Sequence, residues 1–156
     1  MRKEKLLMYS SAFKNGERIP TQFTADGANV SPPLSWGTAP SKTKSFALIC
    51  EDPDAPMGTW IHWIIYDIPA DRKGLEQGIP PSATLTDSSK QGTTSFNKIG
   101  YGGPSPPKGK PHRYYFKLFA LDTMSNLPPA IDTKQFHTFV QAHTIAESDL
   151  MATYGR

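Results

Sequence analysis

Asp52 and Asp54 bracket a proline, and His62 follows them across a short Gly turn, set between Trp60 and Trp63. A solvated loop has no need of the tryptophans, and a plain core strand has no need of the histidine. The mixture describes one wall of a polar pocket lined by aromatics. The other wall is sought in PPKGKPHRYYF, where His112 and Tyr114 share one face of a strand because side chains alternate with period two. They follow a Gly/Pro loop whose tight turns bring backbone amides close to whatever binds there. Two histidines, a tyrosine hydroxyl and free N–H groups form a donor-rich set, and Lys108, Lys110 and Arg113 add positive charge near its mouth. The chemistry suits a small anion, a phosphate or phosphate ester. The aspartates would repel a bare anion unless they orient the histidines or take a cationic group attached to the phosphate. A zwitterion such as a phosphorylated amino alcohol meets the second condition.

Each feature also has a plainer explanation. A single histidine on an apolar face is more often a satisfied core residue than a ligand contact. Asp-Pro-Asp-Ala-Pro reads equally as a rigid turn, and Trp60 and Trp63 as core. What favours a site is the recurrence: two histidines, each at a strand start beside a Pro/Gly turn. An Asp–His62 pair at the rim is the expected contact if the flanking strands pair antiparallel. His137 and His143, by contrast, belong to helix packing or the surface.

The elements that must position these groups are strands. Ser45–Glu51 is a continuous apolar run of strand length, covered on both faces. Trp60–Ile68 is rich in aromatic and β-branched residues. Alternation would put Trp60, His62 and Ile64 on one face and Ile61, Trp63 and Ile65 on the other. His112–Leu121 places Arg113 and Lys117 on one face and Phe116 and Leu118 on the alternate one. Weaker strands are expected near residues 9–13 and 22–24. Asp132 caps a helix carrying Phe136, Phe139, Val140 and His143 at helical spacing. Residues 144–154 fit either more helix or a closing strand. The polar stretch 70–98 lacks periodicity, as functional or mobile loops do. The 15 prolines and 12 glycines fall between the apolar runs.

With 156 residues the chain fits one domain, 1–156, with a core of its own. One cysteine, Cys50, rules out an internal disulfide and points to a reducing compartment. The apolar run after the basic MRKEK start is too short for a signal peptide, and no stretch reaches the ~18 apolar residues of a membrane span. A cytoplasmic protein is the expectation. A net charge of +3 from 17 basic and 14 acidic residues, without a basic stripe, argues against nucleic acid. There is no Gly-x-Ser-x-Gly elbow, P-loop or His-Glu-x-x-His. Gly100-Tyr-Gly102 opens no helix, and two pocket histidines without a Cys pair are too few for zinc. Neither a catalytic residue, a metal nor a cofactor is expected. An enzyme built on an Asp52–His62 base with Tyr114 or His112 as acid would lack an activated nucleophile.

SPPLSW at 31–36, DPDAP at 52–56, His62-Trp63 running into IIYDIP, and GYGGPSPPKGKPHRYYFKLFALD at 100–122 occur in this order. Together they resemble the phosphatidylethanolamine-binding protein family, in its bacterial and archaeal, Raf kinase inhibitor-like branch. The resemblance implies a mainly β fold, with a central antiparallel Greek-key sheet packed on a smaller sheet and short peripheral helices. It implies an anion pocket for phosphate or phosphorylethanolamine-like groups, containing Asp52, His62, Gly103, Pro106, Pro107, His112 and Tyr114 and lined by Asp54 and Trp60. It implies cis prolines near the DPDAP box, at Asp52-Pro53 or Ala55-Pro56. Bacterial relatives are often homodimers, and some members inhibit a protein kinase or protease through protein contacts, which is the alternative function. Ser105 stands where many bacterial relatives carry a cysteine, and the KGKP loop is more basic than usual. The long C-terminal helix of the mammalian kinase-inhibiting members has no counterpart, which weakens any transfer of their partners.

Overall fold

The computed structural model describes residues 4–156; the first three residues of the basic MRKEK start lie outside the described residues. Among the described residues nine strands form two sheets: β1 (Glu4–Lys5), β2 (Met8–Tyr9), β3 (Leu34–Trp36), β4 (Ser45–Asp52), β5 (Trp60–Pro69), β6 (Gly74–Leu75), β7 (Lys90–Gln91), β8 (His112–Leu121) and β9 (Thr144–Tyr154). The larger sheet runs β1-β9-β8-β4-β5-β7 and the smaller β2-β3-β6. Within the larger one, β8-β4-β5-β7 has the 4-1-2-3 order of a Greek key. Among the described residues these strands pair antiparallel except β1 with β9.

The apolar runs are buried on both faces because the larger sheet is covered on both. Phe46, Leu48 and Cys50 of β4 join Trp63, Phe116 and Leu118 in a core shared with Leu34, Trp36 and Leu75 of the smaller sheet. Ala47 and Ile49 point the other way, to Ile64, Tyr66 and the helix α1 (Thr133–His143), which buries Phe136, Phe139 and Val140. Each such large side chain contributes roughly 1.5–3 kcal/mol by leaving water. Asp132 caps α1 as its spacing predicts: its side chain accepts from the Gln135 N–H, and the Gln135 side chain accepts from the Asp132 N–H in return. Residues 144–154 resolve as strand, β9, alongside nearly the whole of β8.

Four expectations are corrected. Residues 22–24 are not a strand. Thr21–Phe23 is a 3₁₀ turn in which Phe23 N–H donates to Pro20 O and Thr24 N–H to Thr21 O, tucking Phe23 into the core. The strand near 9–13 stops at Tyr9, because Ser10 Oγ accepts from the Ala12 N–H and donates to Pro33 O, turning the chain. The 70–98 stretch contains two short strands, β6 and β7, too brief to show periodicity.

The fourth correction bears on the site. Cys50 pairs with Trp63 but Glu51 pairs with Ile61, so β5 spends two residues against one of β4. His62 sits in this bulge. The expected alternation fails there: His62 lies against Tyr114, which belongs with Trp63 to the core facing the smaller sheet, while Ile61 and Ile64 belong to the helix side. A bulge re-aims a side chain at a strand end, and here it turns the histidine toward β8.

Candidate functional site

A cavity of about 220 Å³ opens where the Asp52 end of β4, the Trp60 end of β5 and the His112 end of β8 meet. Asp52, Trp60, His62, His112 and Tyr114 line it, with Pro106 and Pro107 from the Gly/Pro loop. Seven of the residues singled out in the sequence therefore share one wall. Asp54 and Gly103 do not line it and act from behind.

The register makes the juxtaposition. β4 and β8 run antiparallel with Glu51 opposite Tyr115, so the end of β4 reaches the start of β8. Asp52 then meets His112, whose Nδ1 stands 2.7 Å from Asp52 Oδ2 in a buried pair. The expected Asp–His62 contact is thus replaced by Asp52–His112. His62 is carried past the carboxylate by its bulge, and its Nδ1 lies 2.6 Å from the Gly102 carbonyl. A carbonyl oxygen only accepts, so Nδ1 carries the hydrogen and Nε2 is left for other work. The same holds for His112, whose Nδ1–H donates to the carboxylate.

Asp52 accepts at both of its oxygens. Oδ2 takes His112 and Oδ1 accepts from the Asp54 N–H at 2.8 Å. Asp54 is engaged too, by a fork from Arg113: Nε to Oδ2 at 2.9 Å and Nη2 to Oδ1 at 2.8 Å, with the Arg113 N–H adding a third bond. The Arg113 hydrogen bonds hold the Asp54 carboxyl down to about 2. Of the two roles open to the aspartates, orienting the histidines describes Asp52, and anchoring the turn to β8 describes Asp54. The expected cis prolines are absent: Asp52-Pro53 and Ala55-Pro56 are trans. Trans is the favoured isomer by roughly 0.5–1 kcal/mol, and the wall is braced instead by the Arg113 fork, the Asp54 N–H bond and a turn closed by Gly58 N–H on Ala55 O.

Tyr114 is buried to 1% exposure beside both histidines. Its ring stacks on His112 at 6.4 Å between centroids and meets His62 edge-on at 5.3 Å. Its hydroxyl is buried without a hydrogen-bond partner. Burial pushes the phenol well above its ordinary range, so it stays a neutral donor. Burial also pulls the His62 ring below its ordinary value, which favours the neutral imidazole in the free protein.

Several contributors escape a sequence reading. Phe96 lines the cavity and meets both Trp60 and His62 edge-on. It is placed by Ser95, whose N–H donates to Ile61 O while its Oγ accepts from Ile61 N–H. Gly102 both fixes His62 and needs to be glycine, since a Cβ would stand 2.7 Å from the Phe96 ring. Gly103 is required for a similar reason: a Cβ there would come within 2.3 Å of Phe23 O, and its N–H bonds Asn29 Oδ1. Arg156 donates to Pro106 O and forks onto Asp26, tying the cavity loop to the turn after the 3₁₀ segment. Of these, Gly103 is expected in the pocket from the family resemblance, and only Gly102 among the rest carries a signal, as the first of two consecutive glycines before a proline. Among the described residues no group of three or more His, Cys, Asp or Glu is placed to hold a metal ion. Among them no helix is long and apolar enough to cross a membrane.

Comparison with known proteins gives a consistent picture. A family model described as phosphatidylethanolamine-binding protein matches residues 9–155. A UPF0098 protein of Methanothermobacter thermautotrophicus is 46% identical over 145 residues, 93% of this chain and 95% of the relative. Another, from Aquifex aeolicus, is 42% identical over 151 residues, 96% of this chain and 88% of the relative. The crystal structure of CT736 of Chlamydia trachomatis, titled a putative phosphatidylethanolamine-binding protein homolog, superposes with a TM-score of 0.89 at 34% identity, covering 99% of both chains. YbcL of E. coli, titled a new member of the mammalian PEBP family, superposes with a TM-score of 0.87 at 32% identity over 97% of this chain and 99% of the other.

Proposed function

The chain belongs to the phosphatidylethanolamine-binding protein family, and on that premise we propose that it is a binding protein whose cavity takes a small anion of the phosphate or phosphorylethanolamine kind. The observation that carries this reading is the Tyr114 hydroxyl, buried at the cavity without a partner. An orphaned buried donor costs the free protein roughly 1–3 kcal/mol, and a bound oxyanion would satisfy it. The two imidazole Nε2 positions, each oriented by a bond at Nδ1, supply the neighbouring contacts. Trp60, Phe96, Pro106 and Pro107 supply apolar walls around them. A cavity this small contacts few ligand atoms, so affinity for a free anion should be modest.

Binding is preferred to catalysis because, among the described residues, neither pocket histidine hydrogen-bonds a serine, threonine or cysteine that it could activate. Cys50 is fully buried, and burial raises its thiol well above the ordinary value. Isothermal titration calorimetry with inorganic phosphate and phosphorylethanolamine tests the reading. Saturable 1:1 binding that His112→Ala reduces at least tenfold supports it. Equal heats for the wild type and the variant contradict it.

A further inference from the structure

Four titratable side chains line the cavity: Asp52, His62, His112 and Tyr114. Both histidines spend the Nδ1 hydrogen on the protein, His62 on Gly102 O and His112 on Asp52. A neutral imidazole held this way turns a lone pair, not a donor, outward at Nε2. With both rings neutral the wall carries the single negative charge of Asp52, and its side-chain donors, Tyr114 Oη–H, Ser105 Oγ–H and Trp60 Nε1–H, are all uncharged. A fully ionised oxyanion would face a carboxylate and two lone pairs.

Neighbouring charges do not remove this conflict. Asp54, on the turn behind Asp52, is tied by Arg113, which itself lies off the cavity wall. Arg156 reaches the cavity loop only from outside the wall, donating to Pro106 O and Ser105 Oγ while it forks onto Asp26, which also accepts from the Tyr154 hydroxyl. Lys108 and Lys110 are exposed on the loop. The Phe96 segment and the Ser105–Pro107 loop bring no charged side chain to the wall. No cationic side chain lines the wall, so the charge that offsets the anion is supplied by a proton.

We infer that this pocket takes up its anion together with a proton, and that its preferred ligand is a phosphomonoester, which can carry that proton itself, rather than a phosphodiester such as a lipid backbone presents, which cannot. The inference rests on the anion-binding reading above. A phosphomonoester has a second pKa near 6, so its monoanion offers one P–OH donor to an Nε2 lone pair while its other oxygens accept from Tyr114 and the wall's other neutral donors. A phosphodiester or sulfate has no such hydrogen, and a ring must draw the proton from solvent. Burial of His62, which favours its neutral form in the free protein, makes that uptake measurable near neutral pH.

The test is calorimetry of the wild-type protein with methyl phosphate, dimethyl phosphate and sulfate, from pH 5.5 to 8, in buffers of different ionisation heat. Dimethyl phosphate and sulfate should bind with net uptake of about one proton at pH 7.5, and affinity should fall up to about tenfold per pH unit. Methyl phosphate should bind more tightly than dimethyl phosphate at every pH and take up little proton below its second pKa. Binding of sulfate and dimethyl phosphate without proton uptake, or a preference for dimethyl phosphate, overturns this inference alone. Binding of none of the three at any pH overturns the pocket reading and this inference with it.

Discussion

At the scale of single residues, the site is defined by what its polar atoms have already spent. Asp52 accepts one hydrogen bond at each oxygen, and the one at Oδ2 sets the His112 ring. Asp52→Asn weakens the carboxylate hydrogen bond that orients the His112 ring. It should weaken phosphate binding about tenfold or more, read by titration calorimetry, and unchanged affinity would deny the dyad a role. Tyr114→Phe separates function from stability. It deletes the orphaned hydroxyl, so the free protein should gain about 1 kcal/mol in denaturant unfolding. The same variant should bind phosphate more weakly. A loss of stability would mean that the hydroxyl already has a partner.

At the scale of elements, the site is a product of register. Ser45–Glu51, Trp60–Ile68 and His112–Leu121 were legible as strands because long apolar or aromatic runs bounded by prolines leave few other readings. The Asp132 cap was legible because Asp and Gln three residues apart satisfy each other's backbone locally. The bulge at His62 was not legible. A bulge arises from pairing with another strand, and nothing in WIHWII alone distinguishes the bulged residue. For that reason the sequence reading paired the wrong histidine with Asp52, although it placed both in the pocket. The loop is held equally by close packing. Gly103→Ala would press a Cβ against Phe23 O and Asn29 Oδ1, and it should cost about 1–3 kcal/mol. An unshifted midpoint in urea unfolding would contradict that packing.

At the scale of the whole molecule, two acid groups, Asp26 exposed and Asp54 half-buried, lace distant segments together. Arg113 to Asp54 joins the β4–β5 turn to β8, and Arg156 to Asp26 joins the chain's end to the turn after the 3₁₀ segment. Hydrogen bonds from Arg113 to Asp54, and from Arg156 and then Tyr154 to Asp26, lower each carboxyl from 3.8 to about 2. A depressed carboxyl stabilises the fold fully above its ordinary value, and that contribution is lost as pH falls through about 2. The double variant Asp26→Asn, Asp54→Asn should therefore show a flatter loss of stability between about pH 4 and pH 2 than the wild type. Parallel curves in urea unfolding at each pH would contradict it. These links join residues far apart in sequence, and no local pattern announces them. Phe96 and Arg156 stayed hidden for the same reason. The family boxes did point to the cavity, since DPDAP, His62-Trp63 and the PPKGKPHRY segment converge at one end of the larger sheet.

The central claim is that an anion sits between His62, His112 and Tyr114. The most direct measurement follows the ¹⁵N and ¹H signals of the histidine rings by NMR while phosphate and phosphorylethanolamine are added. The account predicts saturating shifts at Nε2 of His62 and His112, none at His137 or His143, and loss of the His62 response in His112→Ala. Silence at both pocket histidines at saturating anion would contradict it.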